Sequence, residues 1–171
     1  MEVIKTDAQF FTATIYQWKN LLEPDKYKLI ITDSLSFLVK EKRVWVYAFV
    51  IMNNHIHLIW QMRGEHKREA VQRDFLKFTA QAIKFDLTKY HPGVLSAFRV
   101  KMKDRAYNFW QRKPLSVDLF SKRVFFQKLD YIHNNPVRAG LCEFPEHYTY
   151  SSAGFYIKGD LKFPFLAHYA G

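Results

Sequence analysis

At 171 residues the chain is sized for one domain, and with 49% hydrophobic side chains and only 6 Gly and 6 Pro it is neither collagen-like, nor low-complexity, nor largely disordered. It carries 26 Lys+Arg against 16 Asp+Glu, a formal net charge of +10, and 18% of its residues are aromatic. The single cysteine, Cys142, excludes an intrachain disulfide and a thiolate metal cluster; it points to a reducing compartment and is expected to be a small core residue.

Phe10 to Tyr16 (FFTATIY) alternates and reads as a first strand. After Glu23-Pro24-Asp25, a helix-start pattern, Tyr27, Ile31, Leu35 and Leu38 recur at helical steps, and Lys40, Lys42 and Arg43 close the last turn. Val44 to Met52 and His55 to Met62, joined at Asn53-Asn54, read as an antiparallel hairpin, expected to be central because it is so apolar. A long helix follows from His66 to Tyr90, with Val71, Phe75, Phe78, Ala82 and Phe85 as its expected apolar stripe, and His91-Pro92-Gly93 ends it. In the stretch Val94 to Tyr107, VLSAF fits a helical turn, and the part with alternating Arg99, Lys101, Lys103 and Arg105 reads as a basic strand or a basic loop. Asn108 to Leu119 reads as an edge strand because of Pro114, and Ser121 caps a helix that is expected to stop before Pro136. The tail beyond Gly140, with Tyr148, Tyr150, Phe155 and Tyr156, is expected to form short strands or turns packed on the body.

The order β, α, β-β, α, β, α predicts a single domain over residues 1–171 of the α+β class: a ferredoxin-like or RRM-like sandwich, with a central antiparallel sheet and helices packed on it. The longest apolar run, Val44 to Met52, is about half the ~18 residues a membrane span needs. Residues Met1 to Asp7 lack the apolar core of a signal peptide. The expectation is a cytoplasmic protein with no membrane association. Its charge and aromatic content suit either a polyanionic partner or a solvated basic surface, and only the site chemistry can separate the two.

His55 and His57 flank Ile56 on a strand, so both imidazoles point to one side, close enough to converge on a divalent cation or simply to sit there as a satisfied pair. On the last long helix Phe125, Leu129 and Ile132 form the core stripe, which turns Tyr131 away from the core. Lys128 and Asn135 lie on the Tyr131 stripe, and His133 points elsewhere. By spacing alone Tyr131 reads as a boundary tyrosine whose ring packs and whose hydroxyl meets water. Arg63, Arg99, Lys101, Lys103, Arg112, Lys113 and Arg138, together with Lys128, are the candidate phosphate contacts.

The block VIMNNHIHLIW resembles the His-hydrophobic-His strand of single-tyrosine HUH endonucleases. FWQRKPLSVDLF followed by LDYIHNNPVRAGLC resembles the tyrosine helix of the REP-associated tyrosine transposases (REP, repetitive extragenic palindrome), relatives of small insertion-sequence transposases that act on single strands. With the trailing YTYSSAGFY the resemblance covers most of residues 44–156. It implies that His55 and His57 hold Mg²⁺ or Mn²⁺ with Asn135 as third ligand, and that Tyr131 is the nucleophile of a metal-dependent single-stranded DNA nickase and strand transferase working near a DNA hairpin. The link formed would be a 5′-phosphotyrosine, and the protein would act as a monomer or as a homodimer. The basic stretch 99–105 then reads as an addition to the compact family plan, forming a DNA-binding strand or loop. A reading from a different class is a non-catalytic RRM-like binder whose sheet aromatics stack bases. A histidine-triad hydrolase is disfavoured, because Ile59 stands where that pattern needs a further histidine.

Overall fold

The structure is a computed structural model that describes residues 7–171; residues 1–6, and most of the segment read above for a signal peptide, lie outside the described residues. Its elements are β1 (Gln9–Thr14), α1 (Asp25–Lys40), β2 (Val44–Ile51), β3 (His55–Met62), α2 (Arg68–Tyr90), α3 (Pro92–Ser96), β4 (Leu115–Asp118), α4 (Lys122–Arg138) and α5 (Ala153–Lys158). The strands form one antiparallel sheet in the order β2-β3-β1-β4, the ferredoxin-like arrangement expected from the element order.

Strand alternation divides the core into two layers. Phe11 and Ala13 of β1 and Ile56, Leu58 and Trp60 of β3 face α1 and α2, where they meet Ile31, Leu35, Val71, Phe75 and Ile83. Phe10 and Ile59 face the other way and pack against Phe125, Leu129 and Ile132 of α4. A bulge in β2 between Val46 and Ala48 reverses the alternation of that strand. Val44 and Val46 therefore share a layer with Phe49 and Ile51, while Ala48 and Val50 lie under α4.

Several sequence expectations are corrected. The hairpin is not central as a whole: β3 is inside the sheet, and β2 is an edge strand. The apolar character of β2 is explained by the tail, whose backbone covers that edge: the Ile51 N–H donates to the Tyr150 carbonyl, the Ser152 N–H to Phe49 and the Ala167 N–H to Val46. The buried stripe of α2 is Val71, Phe75, Thr79, Ile83 and Leu87, whereas Phe78 and Phe85 are 57% and 74% exposed. Thr79 belongs to the stripe because its hydroxyl is satisfied there, donating to the Phe75 carbonyl and accepting from Trp110 Nε1. The basic stretch is a loop closed by an Arg99–Tyr107 bridge, and the expected edge strand is broken: a separate Trp110–Ile15 bridge precedes the continuous ladder of Leu115–Asp118, which starts just after Pro114. Cys142 is half-buried in the turn after α4 and is not a core residue.

Helix α4 begins where Ser121 accepts from the Val124 N–H, as expected, but it runs through Pro136 to Arg138. Proline removes one helical hydrogen bond; here the turn is held by burial of Pro136 and by bonds that follow it, from Ala139 N–H to Asn135 and from Leu141 N–H to Pro136. The same helix is clamped to the β2 edge by buried His133, whose Nε2 lies 2.8 Å from Ser152 Oγ. Among the described residues no helix is long and apolar enough to cross a membrane.

Burial pushes the His133 imidazole down to about 4 from its ordinary 6.5. The unfolded chain then binds the proton first as pH falls, so stability is lost progressively below about pH 6.5 and down to about 4. Denaturant unfolding in EDTA should give a stability at pH 4.5 roughly 2–3 kcal/mol below that at pH 7 from this residue. His133→Gln should flatten that part of the profile.

Candidate active site

The candidate site forms between the middle of the sheet and the outer flank of α4. Antiparallel pairing sets Thr12 opposite His57 and Thr14 opposite His55, so the two histidines of β3 share the α4 side with Thr12 of β1. His57 is 5% exposed, stacked on Phe10 at 5.3 Å between ring centroids, and its Nδ1 lies 2.7 Å from the Thr12 hydroxyl. The Nδ1 of His55 lies 2.7 Å from the Asn54 side-chain oxygen. With both Nδ1 atoms engaged, Nε2 is the ring nitrogen each histidine keeps for another partner.

Tyr131 meets this pair edge-on, its ring 5.3 Å from that of His57, and the rings of His55 and His57 are 4.8 Å apart. Tyr131 is 40% exposed, as its position off the Phe125-Leu129-Ile132 stripe requires. Asn135, one turn later, is buried, with its side-chain amide beside His55. Lys128 places its ammonium 4.6 Å from the Phe10 ring and 5.5 Å from the Tyr131 ring, while the Arg138 guanidinium lies 4.4 Å from the Tyr131 ring and donates to the Tyr131 carbonyl.

The electrostatics follow from this crowding. Burial, then the neighbouring His55, Lys128 and Arg138, push His57 down to about 3, so it is neutral in ordinary buffers. Burial also lowers His55, partly offset by Asn135. Two neutral imidazoles, a converging amide and two cations beside a solvent-exposed phenol can together hold a cation and receive a phosphate. The donor set suits a hard or borderline divalent ion rather than a closed structural zinc site. Among the described residues no three His, Cys, Asp or Glu side chains are grouped to hold a metal, so Asn135 and oxygens from outside the chain would complete the coordination.

Of the expected phosphate contacts, Lys128 and Arg138 are at the tyrosine. Arg63 is not: it stacks on Trp45 at the far end of β3, roughly 25 Å along the strand from His55. Arg112 and Lys113 line a cleft beside α2, Arg99 lies against Tyr107, and Lys101 and Lys103 are exposed in the loop between Arg99 and Tyr107. Sequence reasoning missed Phe10, Thr12 and Asn54. The alternation of β1 places Phe10 and Thr12 on one face, but only the β1–β3 register sets Thr12 against His57.

No family model matches the chain. A curated Haemophilus influenzae protein, provisionally described as a REP-associated tyrosine transposase, is 28% identical over 116 residues, which cover 67% of this chain and 61% of that relative. The chain thus matches about three-fifths of the length of that relative. A solved structure of a REP-associated tyrosine transposase bound to a REP hairpin shares the fold with a TM-score of 0.66 and 19% identity, over 93% of this chain and 84% of the other. A crystal structure from Deinococcus radiodurans, provisionally described as a transposase, gives a TM-score of 0.48 at 16% identity over 78% of this chain and 92% of the other. In sequence over two thirds of its length, and in fold over nearly all of it, the chain is similar to REP-associated tyrosine transposases.

Proposed function

We propose that the protein is a transposase-type enzyme that cuts and transfers single-stranded DNA beside a hairpin, with Tyr131 as nucleophile. The observation that carries this reading is the meeting of Tyr131 with the His55/His57 pair, 5.3 Å from the His57 ring, in a chain similar to REP-associated tyrosine transposases. The Tyr131 oxygen would attack the scissile phosphorus in line, forming a Tyr–O–P bond as the bond from phosphorus to the 3′ oxygen breaks. The phenolic proton leaves to water, and the departing strand takes up a proton as a free 3′-OH. The phosphodiester energy stays in the protein–DNA link, so a second 3′-OH can rejoin the strand without a nucleotide cofactor.

His55, His57 and Asn135 would hold Mg²⁺ or Mn²⁺, which when bound supplies Lewis-acid stabilisation of the phosphate oxygens. Lys128 and Arg138 hold positive charge beside the Tyr131 ring, where it would draw in the scissile phosphate. The RRM-like alternative has less support: its stacking platform would be covered by α4, and Phe10 is buried there.

The test is a labelled single-stranded oligonucleotide carrying REP-like hairpins, incubated with the protein and Mg²⁺ or Mn²⁺. An SDS-stable protein–DNA adduct that EDTA prevents is the expected result. Binding with no adduct under any metal would overturn the catalytic reading in favour of the binder.

The second layer is testable separately. Thr12→Val keeps the shape of the side chain but removes the hydroxyl that orients His57. Calorimetric Mn²⁺ affinity should fall roughly 10–100-fold, the range for loss of an outer-shell partner. Unchanged affinity would mean that Thr12 does not set the ring.

A further inference from the structure

On the sheet face opposite Tyr131, a cleft of about 610 Å³ opens between α2 and the segment 104–114 that leads into β4. One wall is a helical stripe that includes Arg73, Lys77 and Lys84; the other carries Arg105, Arg112 and Lys113. Six cations thus line the cleft against a single acid, Asp104, which is shared by Arg105 and Arg112 at 3.1 and 3.6 Å. Arg73 is paired with Asp74, but Lys77, Lys84 and Lys113 are exposed and make no ion pair among the described residues.

Like charges collected without counter-charges raise the cost of folding unless a ligand neutralises them, and this concentration is local. The cleft also holds an aromatic surface: Tyr107 lines it, with Lys84 5.2 Å from its ring centre and Arg99 beside its rim. A cationic groove with an aromatic wall is the pattern that tracks an unpaired nucleic-acid strand. The groove also connects to the candidate site. The Gln111 N–H donates to the Thr14 carbonyl, and Thr14 pairs with His55, so the 104–114 wall passes the end of the sheet that carries His55.

We infer that this cleft is a second nucleic-acid subsite, holding the single-stranded DNA that flanks the hairpin while the strand end to be cut lies at Tyr131. The inference rests on the proposed function for the identity of the DNA, but not for the binding itself. Lys77, Lys84 and Lys113 make its free phosphate contacts, and Tyr107 is its stacking surface.

The test is fluorescence anisotropy of a labelled oligo-dT 20-mer without metal, titrated with salt from about 50 to 200 mM, alongside the adduct assay. Each phosphate contact on a single strand contributes about 0.7 to the slope of log affinity against log salt. The triple variant Lys77→Gln/Lys84→Gln/Lys113→Gln should lose a slope of about 2, so that its affinity falls roughly fifteenfold less than the wild type's across that range. A control triple variant elsewhere, Lys40→Gln/Lys158→Gln/Lys162→Gln, should leave the slope nearly unchanged. Crosslinking of 5-iodouracil-substituted strand should fall on Tyr107 or its neighbours in 104–114. Equal slopes for the cleft variant and the wild type, or an equal loss in the control, overturn the subsite. If the cleft variant behaves as expected and the wild type forms no adduct, the catalytic reading falls and the subsite stands; an adduct with unchanged slopes gives the reverse.

Discussion

Tyr131→Phe is expected to abolish the covalent protein–DNA adduct while leaving the fold and DNA binding intact. The phenol oxygen is the atom that would bond to phosphorus, and no neighbouring group can replace it. Lys128 is held over the rings of Phe10 and Tyr131, and His57 is buried with one nitrogen engaged by Thr12. Loss of a nucleophile commonly removes several orders of magnitude of rate, so adduct formation should fall at least roughly 10³-fold. Stability should change by no more than about 0.5 kcal/mol, because the hydroxyl belongs to a half-exposed ring whose packing Phe preserves. An adduct undiminished in this variant would remove Tyr131 from the mechanism, and mass spectrometry of the linked peptide would identify the true attacking residue.

The second large effect is expected at His57. His57→Gln keeps much of the side-chain volume against Phe10 but places an amide where an imidazole nitrogen would meet the cation. Mn²⁺ affinity should drop more than about 100-fold, beyond the loss expected for the supporting Thr12, and adduct formation should fall with it. Anisotropy of oligo-dT should be unchanged, since the cleft beside α2 lies on the other face of the sheet. Because burial and nearby cations hold His57 down to about 3, metal binding should not be limited by its protonation near neutral pH. Any weakening of Mn²⁺ binding between pH 8 and 6 must therefore come from another group. Metal affinity and adduct yield both unaffected in His57→Gln would dissociate the histidine pair from the chemistry.

Much of this was legible locally. Alternation on β3 put His55 and His57 on one side whatever the rest of the chain did, and helical periodicity turned Tyr131 away from Phe125, Leu129 and Ile132. The Ser121 cap and the helix start at Asp25 follow from local chemistry in the same way. The stripe of α2 is not legible locally, because a buried Thr79 looks polar in sequence and becomes apolar in effect only once Trp110, 31 residues away, satisfies its hydroxyl. Pro136 likewise reads as a stop, yet burial holds the helix through it.

By itself, then, the sequence determined the element order, the ferredoxin-like class, the facing of the two histidines and the outward placement of Tyr131, because each depends on periods of two or 3.6 residues within a single element. The tertiary structure alone decided that α4 lies over β3 so that Tyr131 reaches His57, that Thr12 and Asn54 occupy the inner ring nitrogens, and that the cations divide between the tyrosine and a cleft on the opposite face. Those facts depend on pairing register and layer packing between residues far apart in the chain. A net charge of +10 is the same number whether the cations are scattered or gathered; only the fold gathers them.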